Sequence, residues 1–289
     1  MKETIFRGVC TALVTPFLNN KVNYSLLEEM LHYQFESGID AVVLSGTTGE
    51  SPTLSTEEKI NIFRSAKKFV GNDMRIIAGT GTNSTEQAIF LSKAAEDTGA
   101  DALLIVSPYY NKGNPDGIFR HFMAIAESVH IPIILYNVPS RTGVDIPVSV
   151  YKMLSSVPNI VGIKEASTDI TKITRIRAAC NDSLSIWTGN DDQVVPTISL
   201  GGSGVISVVS NILPKETVLM TKAALSGDYE TASHYQCQLS GVIEALFNEV
   251  NPIPVKHAMK YIGFDCGPCR LPLGEPSIET KKKIEQYFQ

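Results

Sequence analysis

Gly38-Ile39-Asp40-Ala41-Val42-Val43 returns further along the chain as Gly99-Ala100-Asp101-Ala102-Leu103-Leu104. In each copy a glycine suited to ending a helix leads straight into an apolar run that reads as a strand. A helix that stops at glycine and passes into a buried strand is half of a β/α unit, and apolar runs of the same kind recur on either side. Together they are Gly8–Val14, Ala41–Ser45, Arg75–Gly79, Ala102–Ser107, Pro132–Asn137, Ile160–Glu165, Leu184–Thr188 and Gly204–Val209. Most of these runs are continuous rather than alternating, as expected of parallel strands covered on both faces. The stretches between them read as helices, and Ser55-Thr56-Glu57-Glu58 and Ser84-Thr85-Glu86-Gln87 each carry the capping-box spacing of a helix start. Eight such units predict an α/β fold, a (β/α)8 TIM barrel. The competing doubly wound open sheet has little support, because Gly79-Thr80-Gly81-Thr82-Asn83-Ser84 lacks the third glycine of a dinucleotide-binding turn. Beyond Pro214 only helical pattern remains, over Lys215–Ser226, Tyr229–Asn248, Pro254–Gly263 and Ser277–Phe288. The expected division is a catalytic barrel over 1–225 and a C-terminal helical region over 226–289.

A chain of 289 residues with 43% hydrophobic content can bury a large core, and barrels of this kind reach that size as one unit. A net charge of −5 argues against a nucleic-acid or membrane-surface partner. No apolar run approaches the roughly 18 residues needed to span a bilayer. Met1-Lys2-Glu3-Thr4 lacks the basic-then-apolar layout of a signal peptide, so a cytoplasmic protein is expected. Five cysteines, an odd number, fit a reducing compartment better than a disulfide framework. Cys266-Gly267-Pro268-Cys269 has the spacing of a redox pair or half a zinc site, but it lies among prolines near the C-terminus with no second pair to complete four ligands. A plain loop of thiols is the expectation there.

In such a barrel the chemistry gathers at the C-terminal ends of the strands. The residues that fall there are Thr15, the turn Gly46-Thr47-Thr48-Gly49-Glu50, Tyr109 and Tyr110, Tyr136, Lys164, Gly189-Asn190-Asp191 and, on the last strand, Ile206. The glycine-rich turn offers backbone N–H groups and two hydroxyls ahead of a helix, an arrangement able to hold a carboxylate or phosphate; it is equally compatible with an ordinary turn whose Glu50 is solvated. Tyr136 reads either as a functional phenol or as core packing with a satisfied hydroxyl, and Arg141 as a functional cation or a surface loop charge. Lys164 stands out most. It interrupts the apolar run Ile160-Val161-Gly162-Ile163-Lys164-Glu165-Ala166, where an ammonium group is out of place. An amine taken out of water either finds partners or tends to its neutral form, and the neutral amine attacks a ketone carbonyl. Strand alternation puts Gly162 on the same face, which leaves space beneath the lysine. The other reading is a strand-end lysine that reaches back to solvent.

Four segments decide between these readings by occurring together and in order: Gly46-Thr47-Thr48-Gly49-Glu50-Ser51, Ser107-Pro108-Tyr109-Tyr110-Asn111-Lys112, Tyr136-Asn137-Val138-Pro139-Ser140-Arg141-Thr142-Gly143 and Gly162-Ile163-Lys164-Glu165-Ala166-Ser167. With them the chain resembles, over nearly its whole length, the pyruvate-dependent class I aldolase and lyase family. The resemblance implies that Lys164 forms an imine with pyruvate, and that Tyr136 shuttles protons with help from Thr47 and from Tyr110, which in this family reaches in from a neighbouring subunit. It implies that Thr48, Gly189 and Ile206 contact the substrate, that the assembly is a homotetramer, and that no cofactor or metal takes part.

The choice of second substrate rests on Arg141. In the branch that condenses pyruvate with L-aspartate 4-semialdehyde, toward lysine and diaminopimelate, an arginine of this motif resembles a fork for the substrate carboxylate. Lyases acting on N-acetylneuraminate or keto-deoxy sugar acids usually lack it, and they are the alternative reading. A barrel that senses a keto acid without turnover would require Lys164 or Tyr136 to be missing. Some members of the semialdehyde branch are inhibited by lysine, and these typically carry histidine at the place of Lys59 and glutamate at that of Gln87. Both departures oppose the binding of a ligand with two ammonium groups, so insensitivity to lysine is expected.

Overall fold

The structure is a computed structural model and describes residue 2 and residues 4–288. Met1, Glu3 and Gln289 lie outside the described residues, and with them part of the N-terminal segment read above. The eight expected strands form and close on one another. They are β1 (Gly8–Ala12), β2 (Ala41–Leu44), β3 (Arg75–Gly79), β4 (Ala102–Val106), β5 (Ile133–Asn137), β6 (Ile160–Glu165), β7 (Ser185–Thr188) and β8 (Gly204–Ser207). Each pairs in parallel with its sequence neighbours, and β8 returns to β1 through Gly8↔Gly204 to Thr11↔Ser207. Closure removes both sheet edges, which is why none of these short strands needs a charged or proline-blunted rim.

Alternate residues along the strands serve two cores. Outward side chains such as Val9, Val42, Ile76, Leu103, Leu135 and Ile163 pack under the helices, which accounts for the near-absence of polar positions in the runs. Inward ones, among them Cys10, Val43, Ile77, Leu104, Ile134, Trp187 and Ile206, fill the barrel. The Trp187 indole is fully buried and stacks on Phe6 from the N-terminal arm, ring centroids 4.7 Å apart. This pair plugs the lower barrel, and truncating such a ring costs about 3–5 kcal/mol.

Gly162 corrects one expectation. The space beneath Lys164 is not empty: a Cβ at residue 162 would meet Trp187 Cζ3 at 2.5 Å and the Ser185 carbonyl at 2.7 Å. Glycine is there to admit the indole, and the barrel is solid below the lysine.

The helix starts follow the sequence with one exception. Ser55 and Glu58 form the reciprocal capping box of the helix Thr56–Val70. Ser84 accepts from the Gln87 amide at 3.3 Å, but the return bond from the Gln87 side chain is not made. A small antiparallel hairpin, Phe17–Leu18 with Lys21–Val22, follows β1; its two-residue strands are too short to show any period. Past the barrel helix Pro214–Ser226 come α1 (Tyr229–Leu246), α2 (Ile253–Ala258), a 3₁₀ turn Met259–Ile262 and α3 (Ile278–Phe288). The α1 helix is docked partly by Gln236, whose Nε2 donates to the Asp191 carbonyl at 2.8 Å. Among the described residues no helix is long and apolar enough to cross a membrane.

Candidate active site

The turn after β2 begins and ends on residues in the left-handed region, Ser45 at φ 52° and Glu50 at φ 56°. Such residues cost on the order of 1–3 kcal/mol each and persist where the surroundings hold them. Several contacts do so here. Thr15 Oγ1 donates to the Gly49 carbonyl at 2.7 Å, so the first strand end braces the second. Gly49 fits because a Cβ would come within 3.2 Å of the Leu13 carbonyl and of Thr15 Oγ1. Glu50 is buried, not solvated: its carboxylate accepts from Lys256 Nζ at 2.6 Å and from the Arg270 amide at 2.8 Å. Inside the turn, Glu50 N donates to the Thr47 carbonyl and Ser51 N to that of Gly46. Among the described residues the amides of Thr47 and Thr48 have no acceptor.

On the opposite wall, Tyr136 and Lys164 are direct partners across β5 and β6. Lys164 is 5% exposed, which removes the reading in which it reaches back to solvent, and its Nζ lies 4.5 Å from the centroid of the Tyr136 ring. Buried lysines differ here in a way the sequence does not reveal. Lys172 is paired with Asp145 and, at 3.6 Å, with Glu165; Lys256 is paired with Glu50. No carboxylate of the described residues lies within 4.0 Å of Lys164. Its amine is therefore sequestered without being neutralised by a partner.

The segment around Lys164 is fixed from behind. Glu165 points outward, accepting from Asn137 Nδ2 at 2.8 Å and from the Ser167 amide at 2.9 Å, while Asn137 also bridges to Asp145. Gly189 packs on the lysine's methylenes: a Cβ there would sit 2.8 Å from Lys164 Cε. Asp191 is buried and accepts from Ser207 Oγ and the Val208 and Val209 amides, and burial raises its carboxyl above the usual range. Ile206 is wholly buried in the barrel interior, beneath the strand ends.

A cleft of about 240 Å³ is lined by Thr47, Ser51, Lys59, Tyr109, Tyr136 and Arg141 among others, whereas Lys164, Thr48, Gly189 and Ile206 do not line it; Tyr136 is the wall residue that joins it to Lys164. Its described walls hold two cations and no carboxylate, a composition suited to anionic ligands. Arg141 lies within the helical turn Pro139–Thr142, and its Nη2 donates to the Asn251 carbonyl at 2.9 Å. Thr48 is buried just behind the cleft and accepts from Asn251 Nδ2 at 3.0 Å. Lys59 is 8% exposed, and burial lowers its amine from the ordinary range. Tyr110 stands apart. It is 89% exposed on a left-handed residue, φ 70°, and does not line the cleft of its own chain.

Asn251 and Lys256 escaped the reading of the sequence, with no local signal to mark them; Asn137 and Asp191 stood in the quoted strand-end segments without being given a role. The Cys266–Cys269 loop packs against the glycine-rich turn, and burial pushes both thiols up to about 12.

An eight-stranded parallel barrel that presents at its strand ends a sequestered lysine, without a carboxylate partner among the described residues, beside a tyrosine fits the class of enzymes that work through a lysine imine, the class I aldolases and lyases. Within that class the chain belongs to the dihydrodipicolinate synthetase family, whose model matches residues 5–289. It is 45% identical over 285 residues to the 4-hydroxy-tetrahydrodipicolinate synthase of Clostridium perfringens, covering 99% of this chain and 98% of that one. The enzyme of the same name from Lachnoclostridium phytofermentans is 48% identical over 273 residues, covering 94% and 93%. Among solved structures, dihydrodipicolinate synthase from Aquifex aeolicus superposes with a TM-score of 0.96 at 40% identity, covering 98% and 97%. That of Cyanidioschyzon merolae with lysine bound superposes with 0.95 at 40% identity over the same shares.

Proposed function

We propose that this chain condenses pyruvate with L-aspartate 4-semialdehyde through an imine on Lys164, giving 4-hydroxy-tetrahydrodipicolinate, the first committed step toward diaminopimelate and lysine. The observation that carries this reading is the buried Lys164 amine, with no carboxylate of the described residues beside it, against the ring of Tyr136, which lines a cleft whose charged described residues, Lys59 and Arg141, are both basic.

The neutral amine adds to the pyruvate ketone and water leaves, so that the protonated imine draws electrons from the methyl group. Tyr136 takes and returns the protons of these steps, with Thr47 beside it on the cleft wall. The enamine carbon then attacks the aldehyde of the second substrate. Ring closure by that substrate's own amine on the imine carbon releases Lys164, so no water is needed to free the enzyme. The unclaimed amides of Thr47 and Thr48 hold the pyruvate carboxylate, with the Thr48 hydroxyl; Arg141 presents its remaining N–H groups to the carboxylate of the semialdehyde. Gly189 and Ile206 act at close range to the bound intermediate. Gly189 leaves room for the Lys164 stem to change shape on imine formation.

The working form is a homotetramer in the cytoplasm. An exposed tyrosine on a strained residue has little use to its own chain, and Tyr110 serves a neighbouring subunit's cleft. All five cysteines are free thiols, in keeping with a reducing compartment. Added lysine at millimolar concentration leaves turnover unchanged. Lys59 and Tyr109 line the cleft, which has no carboxylate among its described residues, and Gln87 offers none.

The test is Arg141→Ala assayed against both substrates. Losing a charged hydrogen bond to one carboxylate raises KM for aspartate semialdehyde by about 10- to 150-fold and leaves that for pyruvate within a few-fold. Equal effects on both, or efficient cleavage of N-acetylneuraminate by the unaltered protein, would favour a sugar-acid lyase instead.

A further inference from the structure

Asn251 lies between α1 and α2, in the helical region, far in sequence from either wall of the cleft. Nothing in its local sequence marks it. In the fold it is 6% exposed and touches both proposed carboxylate sites at once, by different atoms. Its side-chain Nδ2 donates to Thr48 Oγ1 at 3.0 Å, and its main-chain carbonyl accepts from Arg141 Nη2 at 2.9 Å. The Oδ1 of the same amide is buried without a partner among the described residues.

The direction of the Thr48 bond has a chemical consequence. A hydroxyl that accepts from an amide N–H keeps its own proton to give away. No acceptor for that proton lies among the described residues. With the amides of Thr47 and Thr48 also unclaimed, the turn presents three donors in one place, two from the main chain and one from a side chain. Without Asn251 the buried hydroxyl would lose the one contact among the described residues that fixes its orientation.

We infer that Asn251 is a positioning residue that sets the Thr48 hydroxyl as a donor to the pyruvate carboxylate, while its main chain independently anchors Arg141. This inference rests on the functional reading above. It differs from a merely structural role because one residue serves the two substrates through separable atoms: a side-chain replacement removes the Thr48 contact and spares the Arg141 contact.

The experiment measures the half-saturation of pyruvate in borohydride trapping on Lys164, which does not involve the second substrate, together with KM and kcat for condensation. In Asn251→Ala the pyruvate half-saturation rises about three- to tenfold, the value of one neutral hydrogen bond, while KM for the semialdehyde and kcat at saturation stay within about twofold. Asn251→Asp is worse than alanine, because a carboxylate there takes the Thr48 proton. In a Thr48→Val background, where the hydroxyl is already gone, Asn251→Ala has no further effect on pyruvate; this coupling separates positioning from general loosening of the fold. An unchanged half-saturation in Asn251→Ala, additive effects of the two replacements, or a parallel rise in both KM values would overturn the proposal alone. Failure of the unaltered protein to form any pyruvate adduct would overturn it together with the reading on which it rests.

Discussion

The Lys164 ammonium sits 4.5 Å from the centroid of the Tyr136 ring, and the two residues are register partners on adjacent parallel strands. A cation held against an aromatic face gains roughly 0.5–2 kcal/mol without being given a counter-charge. The strand pairing fixes the distance between the two side chains. The arrangement keeps the amine in a dry place against the Tyr136 ring, with no carboxylate of the described residues within 4.0 Å.

Lys164 is therefore the expected site of covalent capture. Incubation with pyruvate and borohydride, followed by peptide mass mapping, places the adduct on Lys164. The buried Lys172 is spared, because its amine is tied to Asp145 and Glu165. An adduct on Lys172 or on Lys112 would remove the proposed nucleophile.

Tyr136→Phe keeps the ring, its packing in the barrel and its face toward the lysine, and deletes only the hydroxyl. Stability is retained and turnover falls by about 10²–10⁴, the range of general acid–base groups. Near-normal kcat with an unaltered melting curve would reduce Tyr136 to a packing residue.

The Glu50–Lys256 pair ties the glycine-rich turn to α2 in a buried setting, with Lys256 Nζ also 4.0 Å from the centre of the Phe17 ring. Lys256→Met strands the Glu50 carboxylate and costs about 3–5 kcal/mol. Replacing both partners, Glu50→Gln with Lys256→Met, leaves no buried charge and recovers most of that loss. Denaturant midpoints of the single and double variants decide the matter. A double variant no more stable than the single would mean that the ion pair itself, and not the avoidance of a lone charge, holds the turn.

His121 governs part of the acid response. Its imidazole is buried with Nδ1 2.9 Å from Thr85 Oγ1 and Nε2 without a partner among the described residues, and burial lowers its pKa from 6.5 to about 4. Between these values the unfolded chain binds the proton and the folded one does not. The stability that depends on neutral His121 is thus fully present above 6.5 and is lost as pH falls toward 4. At pH 5 the loss is on the order of 2 kcal/mol. His121→Gln flattens the stability curve in that window by a comparable amount; an identical slope in both proteins would show that the imidazole is protonated in the fold.

The barrel was legible in the residues because parallel strands packed on both faces leave unbroken apolar runs, and because glycines at helix ends punctuate them. Lys164 was legible for the same reason, as one charge in such a run. The hairpin at Phe17–Val22 was not, since two residues are too few for any period to appear. Ser84 carried the spacing of a capping box, yet Gln87 does not return its half of the bond.

What lies beyond sequence is pairing over distance. Glu50 reads as a solvated turn residue until Lys256 and Arg270, more than 200 residues on, enclose it. Gly162 reads as open space until Trp187 of the next strand occupies it. Composition, strand order and the candidate side chains at the strand ends follow from local pattern, because hydrophobic period and residue chemistry are local properties; the choice among those candidates rested on four segments occurring together. Which buried lysine has no carboxylate beside it among the described residues, and which asparagine bridges Thr48 and Arg141, was decided only by tertiary structure, since hydrogen bonds and ion pairs act within about 4 Å wherever the chain brings their partners together.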